Sequence, residues 1–291
     1  MASAESSSLD GKAPFTFPLE LEQHIFELAY ECDPPIGPTL MRVSPYVSSW
    51  IGRLLYEVII VQVSNRLEPP LSAVQKHGQN ARHLLIGINV EKEQIIDYIR
   101  SCPNVVNFAL WALQELNEDC VKLLMRLPLL RLSFHIRSLR YDSDADLTNK
   151  NSLDEYTLAY RRLEMLFKAF PQLTHLDIAS RSPPEAYEYL HHLPNLTYIS
   201  IFHNDFEGSY VQIFDKCPHL KVVIILGENS LISEADTTGI DRNDSRVLYV
   251  NVPDFVGDWE LGARGKHDVW EFVESFEEKR REGDTGVGLI G

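Results

Sequence analysis

The chain has 291 residues, and its 42 Asp and Glu outnumber its 27 Lys and Arg, for a formal net charge of −15 at pH 7. This surplus argues against nucleic acid or an anionic membrane as the main partner, because both attract clustered basic residues. Hydrophobic residues make up 44% of the chain, which is enough for a sizeable core. The length suits one elongated domain with an appendage, or two domains.

Residues 1–13 are rich in Ser and lack a hydrophobic period, which predicts a disordered leader. The leader has neither a basic region nor an apolar stretch, so no signal peptide is predicted. No apolar run approaches the roughly 20 residues of a membrane span. The four cysteines form no C-x-x-C pair and are expected to be reduced thiols. Together these features predict a protein of the cytoplasm or nucleus.

Residues 14–55 are predicted to be helical. Leu21, Ile25 and Leu28 recur at a helical period. The segment 33–38, with three prolines and a glycine, ends this first helix because proline lacks the amide donor that a helix needs. A second helical run follows, with apolar positions at Leu40, Val43, Val47, Trp50 and Leu54.

Residues 56–265 contain an internal repeat. A proline precedes a short apolar strand at five places, which are Pro103, Pro128, Pro171, Pro194 and Pro218. The strand segments fit L-x-x-L-x-I, most clearly at Leu173–Ile178 and Leu196–Ile201, and segments of helical period separate them. This pattern predicts an α/β fold, a short leucine-rich-repeat solenoid with parallel strands on its concave side and helices on its convex side. An ordinary α/β fold whose prolines end its helices is the alternative.

The remaining segments are an insertion and a C-terminal helix. Residues 138–156 form an acidic insertion, predicted to be a long loop on one rim of the solenoid. Residues 266–282 are predicted to form an amphipathic helix that caps the solenoid. Residues 283–291 are predicted to form a frayed tail. Because the acidity concentrates in the insertion and the C-terminal third, a basic target segment at the rim is expected.

The strand residues between the core positions are predicted to face the concave side and to bind a protein target. They are Asn107, Arg131, His175, Asp177, Tyr198, Ser200 and Tyr249. Val222 and Ile224 fall on the same side, where a strand that is apolar on both faces would be exposed. Either a ligand or the C-terminal segment must cover these two residues, and the C-terminal segment is the favoured explanation.

Enzymatic motifs are missing from the sequence. No H-E-x-x-H, C-x-x-C or G-x-S-x-G occurs. His175 and Asp177 share one side of a strand, but no nucleophile or metal ligand accompanies them in the pattern. We therefore expect no catalytic activity, no cofactor and no metal site.

The N-terminal helices resemble a known family. The segment Phe17–Leu28 resembles the opening of an F-box, whose pattern is roughly L-P-x-E-[IL]-x-x-x-I-[FL]-x-x-L. Leu40–Ser44 and Trp50 match the second half of that motif, and the Pro-rich segment 33–38 replaces the usual linker. Together with irregular leucine-rich repeats, the pattern is similar to the F-box-like sets expanded in mushroom-forming fungi.

The resemblance implies a non-catalytic role as the substrate-recruiting subunit of a cullin–RING (SCF-type) ubiquitin ligase. The F-box-like helical cluster would bind a Skp-type adaptor, and the repeats would bind an unknown protein target. The adaptor-binding residues by this analogy are Pro18, Leu21, Ile25, Leu28, Val43, Val47 and Trp50. The alternative is a leucine-rich-repeat interaction scaffold whose N-terminal helices only cap the solenoid.

Overall fold

A computed structural model describes residues 17–61, 69–112, 116–139, 152–179, 184–202, 210–226, 244 and 246–281. The predicted leader, the predicted tail and most of the predicted acidic insertion lie outside these residues. The chain divides into two compact units, Met1–Leu55 (unit 1) and Tyr56–Gly291 (unit 2), at the position where the sequence predicts the helical region to end. In the part of the chain described, no helix is long and apolar enough to cross a membrane.

Unit 1 is helical, as predicted. Its helices are α1 (Leu19–Cys32), α2 (Gly37–Leu40) and α3 (Pro45–Leu55), with a 3-10 turn at Pro34–Ile36. Helix α3 begins at Pro45, where a missing amide costs nothing, and Ser44 Oγ accepts a hydrogen bond from the Val47 amide at 3.2 Å. Tyr30, Leu40, Val47 and Ile51 form the core of this unit.

Unit 2 contains an eight-stranded parallel sheet in which strand order follows chain order. The strands are β1 (Val58–Val61), β2 (His83–Ile86), β3 (Asn107–Leu110), β4 (Arg131–Phe134), β5 (His175–Ile178), β6 (Tyr198–Phe202), β7 (Val222–Leu226) and β8 (Val247–Val250). Asn107, Arg131, His175, Tyr198 and Val222 lie in one row across β3 to β7. The predicted register of these five strands is therefore confirmed.

One helical segment follows most strands. The α-helices are α4 (Leu71–His77), α5 (Lys92–Ser101), α6 (Glu118–Leu124), α7 (Ser152–Ala169), α8 (Tyr210–Lys216), α9 (Phe255–Ala263) and α10 (Val269–Arg281). The 3-10 helices of unit 2 are Gly78–Asn80, Ile136–Leu139 and Pro184–His192. Alternate strand residues, such as Phe108, Leu132 and Leu176, pack with α4 to α8 in the main core. This side of the sheet is the helix side, and a lone unit could not bury it, so the repeats stabilise one another.

Side chains next to the repeat prolines also link neighbouring repeats. Asn104 Nδ2 donates a hydrogen bond to the Gln79 carbonyl, and Asn195 Nδ2 donates one to the Pro171 carbonyl, both at 2.8 Å. Each asparagine directly follows a proline of the predicted repeat. The equivalent bonds at two places in the chain support the repeat as a structural unit.

Two of the segments differ from the sequence prediction. Ser138 and Leu139 are buried in a 3-10 helix, and residues 152–156 already belong to α7, so the segment between elements is shorter than 138–156. Helix α9 was not predicted. Its two glycines, Gly257 and Gly262, lower its helix propensity, and each lies where a Cβ would overlap an aspartate carboxylate.

Candidate functional site

Helix α1 carries apolar residues on two of its sides. Phe26, Ala29 and Tyr30 pack in the core of unit 1. Leu21, Ile25 and Leu28 lie on another side and are 52%, 52% and 50% exposed. A surface helix normally places polar residues on such a side. We call these three residues the α1 stripe, and an exposed apolar patch of this kind is a candidate interaction site.

The other predicted adaptor-binding residues have different environments. Pro18 is exposed, and so is Val43 in the turn before α3. Trp50 is half-buried and packs against the core of unit 1. Val47 is completely buried, so its assignment as a contact residue is wrong and it serves the core. Leu19, which sequence reasoning did not single out, is also exposed at the start of α1.

Six of the seven predicted target-binding residues, all except Tyr249, lie on the side of the sheet opposite the helix side, which we call the second face. Asn107, His175, Tyr198 and Ser200 are all buried there. Helices α9 and α10 cover them, so the structure places these residues inside unit 2 rather than on an open surface. Their role in target binding stays a prediction, and it requires these helices to give way.

Tyr249 does not belong to this surface. In β8 the residue that pairs with Ile224 of the second face is Leu248, whereas Tyr249 pairs with Ile225 and packs against the main core. The prediction for Tyr249 is therefore wrong: the sequence pattern aligns it with Val222, and the structure pairs it with Ile225, three residues further along β7. A shift by an odd number of positions moves a strand side chain to the opposite side of the sheet.

The start of α10 is fixed on the second face by an ion pair. Arg131 Nη1 of β4 donates to Asp268 Oδ2 at 3.1 Å, although the two residues are far apart in the chain. The other oxygen of Asp268 accepts a hydrogen bond from the Glu271 amide at 2.8 Å. Asp268 therefore caps α10 and neutralises a cation of the sheet at the same time.

A half-buried carboxylate lies at the centre of the second face. Asp177 of β5 accepts hydrogen bonds from Ser133 Oγ and Ser200 Oγ, both at 2.5 Å, and Trp111 Nε1 donates to Ser133 Oγ at 2.7 Å. Burial raises the pKa of Asp177, and the two serine hydroxyls offset part of that rise. Ser133 and Ser200 are themselves buried, so these bonds form a hydrogen-bond network inside unit 2.

Trp270 and Glu274 of α10 both lie beside His175. The His175 ring stacks on Tyr198 and meets Trp270 of α10 edge to face, with centroid distances of 4.9 and 5.0 Å. His175 Nε2 lies 3.4 Å from Glu274 Oε1. Burial lowers the pKa of His175, and Glu274 offsets part of that effect. The imidazole is therefore neutral at pH 7, and its contact with Glu274 becomes ionic in acid.

A cavity of about 40 Å³ lies between the sheet and α9. Asp258 of α9 borders it and accepts a hydrogen bond from the Val269 amide at 3.1 Å. Burial raises the pKa of Asp258 to about 6, and the neighbouring carboxylates of Asp268, Asp254 and Asp177 add to the rise. The volume suits a few water molecules and no larger ligand.

The second face changes character along the sheet. From β6 to β8 it is apolar, and Val222 and Ile224 are completely buried against Val269 and Val273 of α10. The prediction that the C-terminal segment folds back over these two residues is confirmed. Helix α10 also reaches β4 and β5, so it covers the second face of the sheet and is more than the predicted cap on the end of the solenoid.

Among the described residues, no group of three or more His, Cys, Asp or Glu is placed to hold a metal ion. No protein-family model and no curated protein matches the chain. Among solved structures, a crystal structure of a TLR13–ssRNA13 complex is similar, at 18% sequence identity and a TM-score of 0.36. The similarity covers 60% of this chain and 23% of that chain, so this chain spans less than a quarter of its length. The fold assignment therefore rests on the strand order and register of the chain itself.

Proposed function

We propose that this chain is a non-catalytic, substrate-recruiting subunit of a cullin–RING ubiquitin ligase. Unit 1 binds a Skp-type adaptor through the α1 stripe, and the leucine-rich repeats of unit 2 hold a protein target. The protein itself makes and breaks no bond. It contributes proximity, because a target held near the ubiquitin-loaded partner reacts at a high effective concentration.

The observation that supports this proposal is the exposure of Leu21, Ile25 and Leu28 on a helix whose other apolar side is already packed. Burying the exposed half of one such side chain at an interface gains about 1 kcal/mol, roughly half of what full burial gains. The same residues carry the resemblance to the F-box opening. The stripe is thus apolar and solvent-exposed at the positions where that resemblance expects an adaptor.

A rigid frame holds the stripe in unit 1. Arg53 of α3 donates to Glu27 of α1 at 3.1 Å, and Gln23 donates to the same carboxylate at 2.7 Å. The first bond joins α1 to α3 beside the packed core, and the second lies within α1. A preorganised helix loses little conformational entropy on binding, which favours affinity.

The test is direct binding of the full chain to a purified Skp-type adaptor, measured by calorimetry. We expect the wild type to bind and the double variant Leu21→Asp, Ile25→Asp to lose about thirtyfold or more, because the loss of central apolar anchors typically costs 2 kcal/mol or more. The control is Met165→Asp, which places an aspartate on an exposed apolar position of α7 in unit 2.

Three results would contradict this assignment. A folded wild type that does not bind the adaptor would leave the chain as a repeat-protein interaction scaffold without a ligase role. Retained binding by the double variant would show that the α1 stripe is not the contact. An equal loss in the Met165→Asp control would show that the effect is not specific to unit 1.

A further inference from the structure

We infer that the second face is a receptor for an acidic amphipathic helix, and that α10 occupies it as an internal ligand. The inference names the class of target for unit 2, and in that respect it rests on the proposed function. It does not depend on whether unit 1 binds an adaptor.

The first argument is charge complementarity within a strongly acidic protein. The sheet side contributes the cations Arg131 and Lys221 and the neutral imidazole of His175, and the helix contributes the carboxylates that meet them. Arg131 pairs with Asp268 at 3.1 Å, and His175 Nε2 lies 3.4 Å from Glu274 Oε1. His175 has the largest effect in lowering the pKa of Glu274, and Arg131 and Lys221 add to it. The second face therefore recognises carboxylates at two places about one and two-thirds helical turns apart.

The second argument is the aromatic site between these two places. Trp270 lies against both His175 and Tyr198, with a centroid distance of 6.5 Å to the tyrosine ring. Lys221 Nζ lies 5.5 Å from the centroid of the Tyr198 ring. A large aromatic side chain seated between charged contacts is typical of the anchor residues that dominate protein–helix interfaces.

The third argument concerns how α10 is held. Val269 and Val273 bury the apolar half of the second face, where Val222 and Ile224 are completely buried. Because an uncovered apolar face is costly, only a ligand that brings its own apolar side can replace α10. The structure thus specifies a ligand with the pattern D-x-W-x-x-x-E and apolar residues beside the acidic and aromatic ones, presented on a helix.

The internal ligand lowers the apparent affinity for any external one. The apparent dissociation constant equals the intrinsic one divided by the fraction of molecules with an uncovered face. A change that weakens only the polar contacts of α10, and leaves the receptor side chains intact, should therefore strengthen binding of an external helix. An increase in affinity would indicate that α10 is exchangeable, whereas a helix that is simply part of the core would give no increase.

The experiment uses the full chain with Asp268→Asn and Glu274→Gln, and a fluorescent peptide of residues 253–281 as the probe. Asparagine still caps a helix, so the first substitution removes the ion pair with Arg131 and keeps the cap. We expect the variant to bind the peptide about tenfold more tightly than the wild type does, because its face is uncovered more often. Adding Arg131→Gln should then abolish the gain.

The matched control is the full chain with Asp254→Asn and Glu278→Gln. It also removes one aspartate charge and one glutamate charge. Asp254 caps α9, where its Oδ1 accepts a hydrogen bond from the Gly257 amide at 2.9 Å. We expect this control to bind the peptide as weakly as the wild type does. A peptide with Asp268→Lys and Glu274→Lys should fail to bind any of the chains.

Several outcomes would overturn the inference. Equal affinity for the test variant and the control would mean that the polar contacts of α10 do not govern access to the face. Absence of peptide binding by a folded test variant would show that α10 is a fixed layer of unit 2. Binding of the lysine peptide would show that the face does not select acidic helices. Each of these results concerns unit 2 and leaves adaptor binding through unit 1 to its own test.

Discussion

Asp258 illustrates how a single residue sets the dependence of stability on pH. Its pKa in the folded chain is about 6, mainly because of burial, against an ordinary value of 3.8 for an aspartate. A carboxyl group with a raised pKa binds its proton more tightly in the folded state. The stability it contributes is therefore present in acid and is lost as the pH rises from about 4 to about 6.

We predict that Asp258→Asn becomes more stable relative to the wild type as the pH rises. The asparagine side chain can still accept a hydrogen bond from the Val269 amide, and it has no charge to desolvate. Since Asp258 is partly exposed, solvent screening reduces the expected gain to roughly 1 to 2 kcal/mol between about pH 4.5 and about pH 7.5. Urea unfolding at the two pH values measures it. A relative stability that stays constant or falls with pH would contradict the prediction.

Gly262 is the second residue with a specific role. A Cβ at this position would overlap the Asp268 carboxylate, which caps α10 and pairs with Arg131. We predict that Gly262→Ala destabilises the chain by about 1 to 3 kcal/mol, as overpacked sites generally do. Thermal unfolding and amide exchange in α10 are the measurements.

The control for this change is Gly52→Ala in α3. The nearest atom to a Cβ at that position is Met41 Cε at 3.4 Å, which the flexible methionine can accommodate. Alanine favours a helix by up to about 1 kcal/mol over glycine, so this variant should be as stable as the wild type or more stable. A loss in the control equal to that of Gly262→Ala would show that overlap with Asp268 is not the cause.

At the scale of the elements, the repeat made the strands predictable. A proline followed by L-x-x-L-x-I aligns β3 to β7 because the proline ends the preceding helix and the alternation sets which side chains enter the core. No such proline precedes β8, and Val247, Leu248 and Val250 are apolar on both sides of the strand. Sequence alone therefore could not fix the register of β8, and the prediction for Tyr249 failed.

The candidate sites show the same limit in another form. The α1 stripe follows from the period of Leu21, Ile25 and Leu28 and from the F-box resemblance, because a local pattern defines it. The cover on the second face depends on contacts such as Arg131 with Asp268, which join segments far apart in the chain. Only the doubly apolar strand at Val222 and Ile224 signalled that something covers the sheet.

At the scale of the whole molecule, two layers of helices enclose one sheet in unit 2. Helices α4 to α8 cover the helix side, and α9 and α10 cover the second face. Burial of each large apolar side chain contributes about 1.5 to 3 kcal/mol, and whole domains are stable by only about 5 to 15 kcal/mol. The cover on Tyr198, Val222, Ile224 and Leu226 is therefore comparable to the total stability of a domain.

We predict that a chain ending at Val252 fails to form a soluble folded unit 2. Loss of α9 and α10 uncovers the apolar half of the second face, so the shortened chain should aggregate and bind a hydrophobic dye. Co-expression with the peptide of residues 253–281 should restore solubility, whereas the same peptide with Val269→Asp and Val273→Asp should not. A chain ending at Arg281 separates the effect of the two helices from that of residues 282–291. If the chain ending at Val252 is soluble, unfolds cooperatively and binds no dye, then α9 and α10 are dispensable to the core.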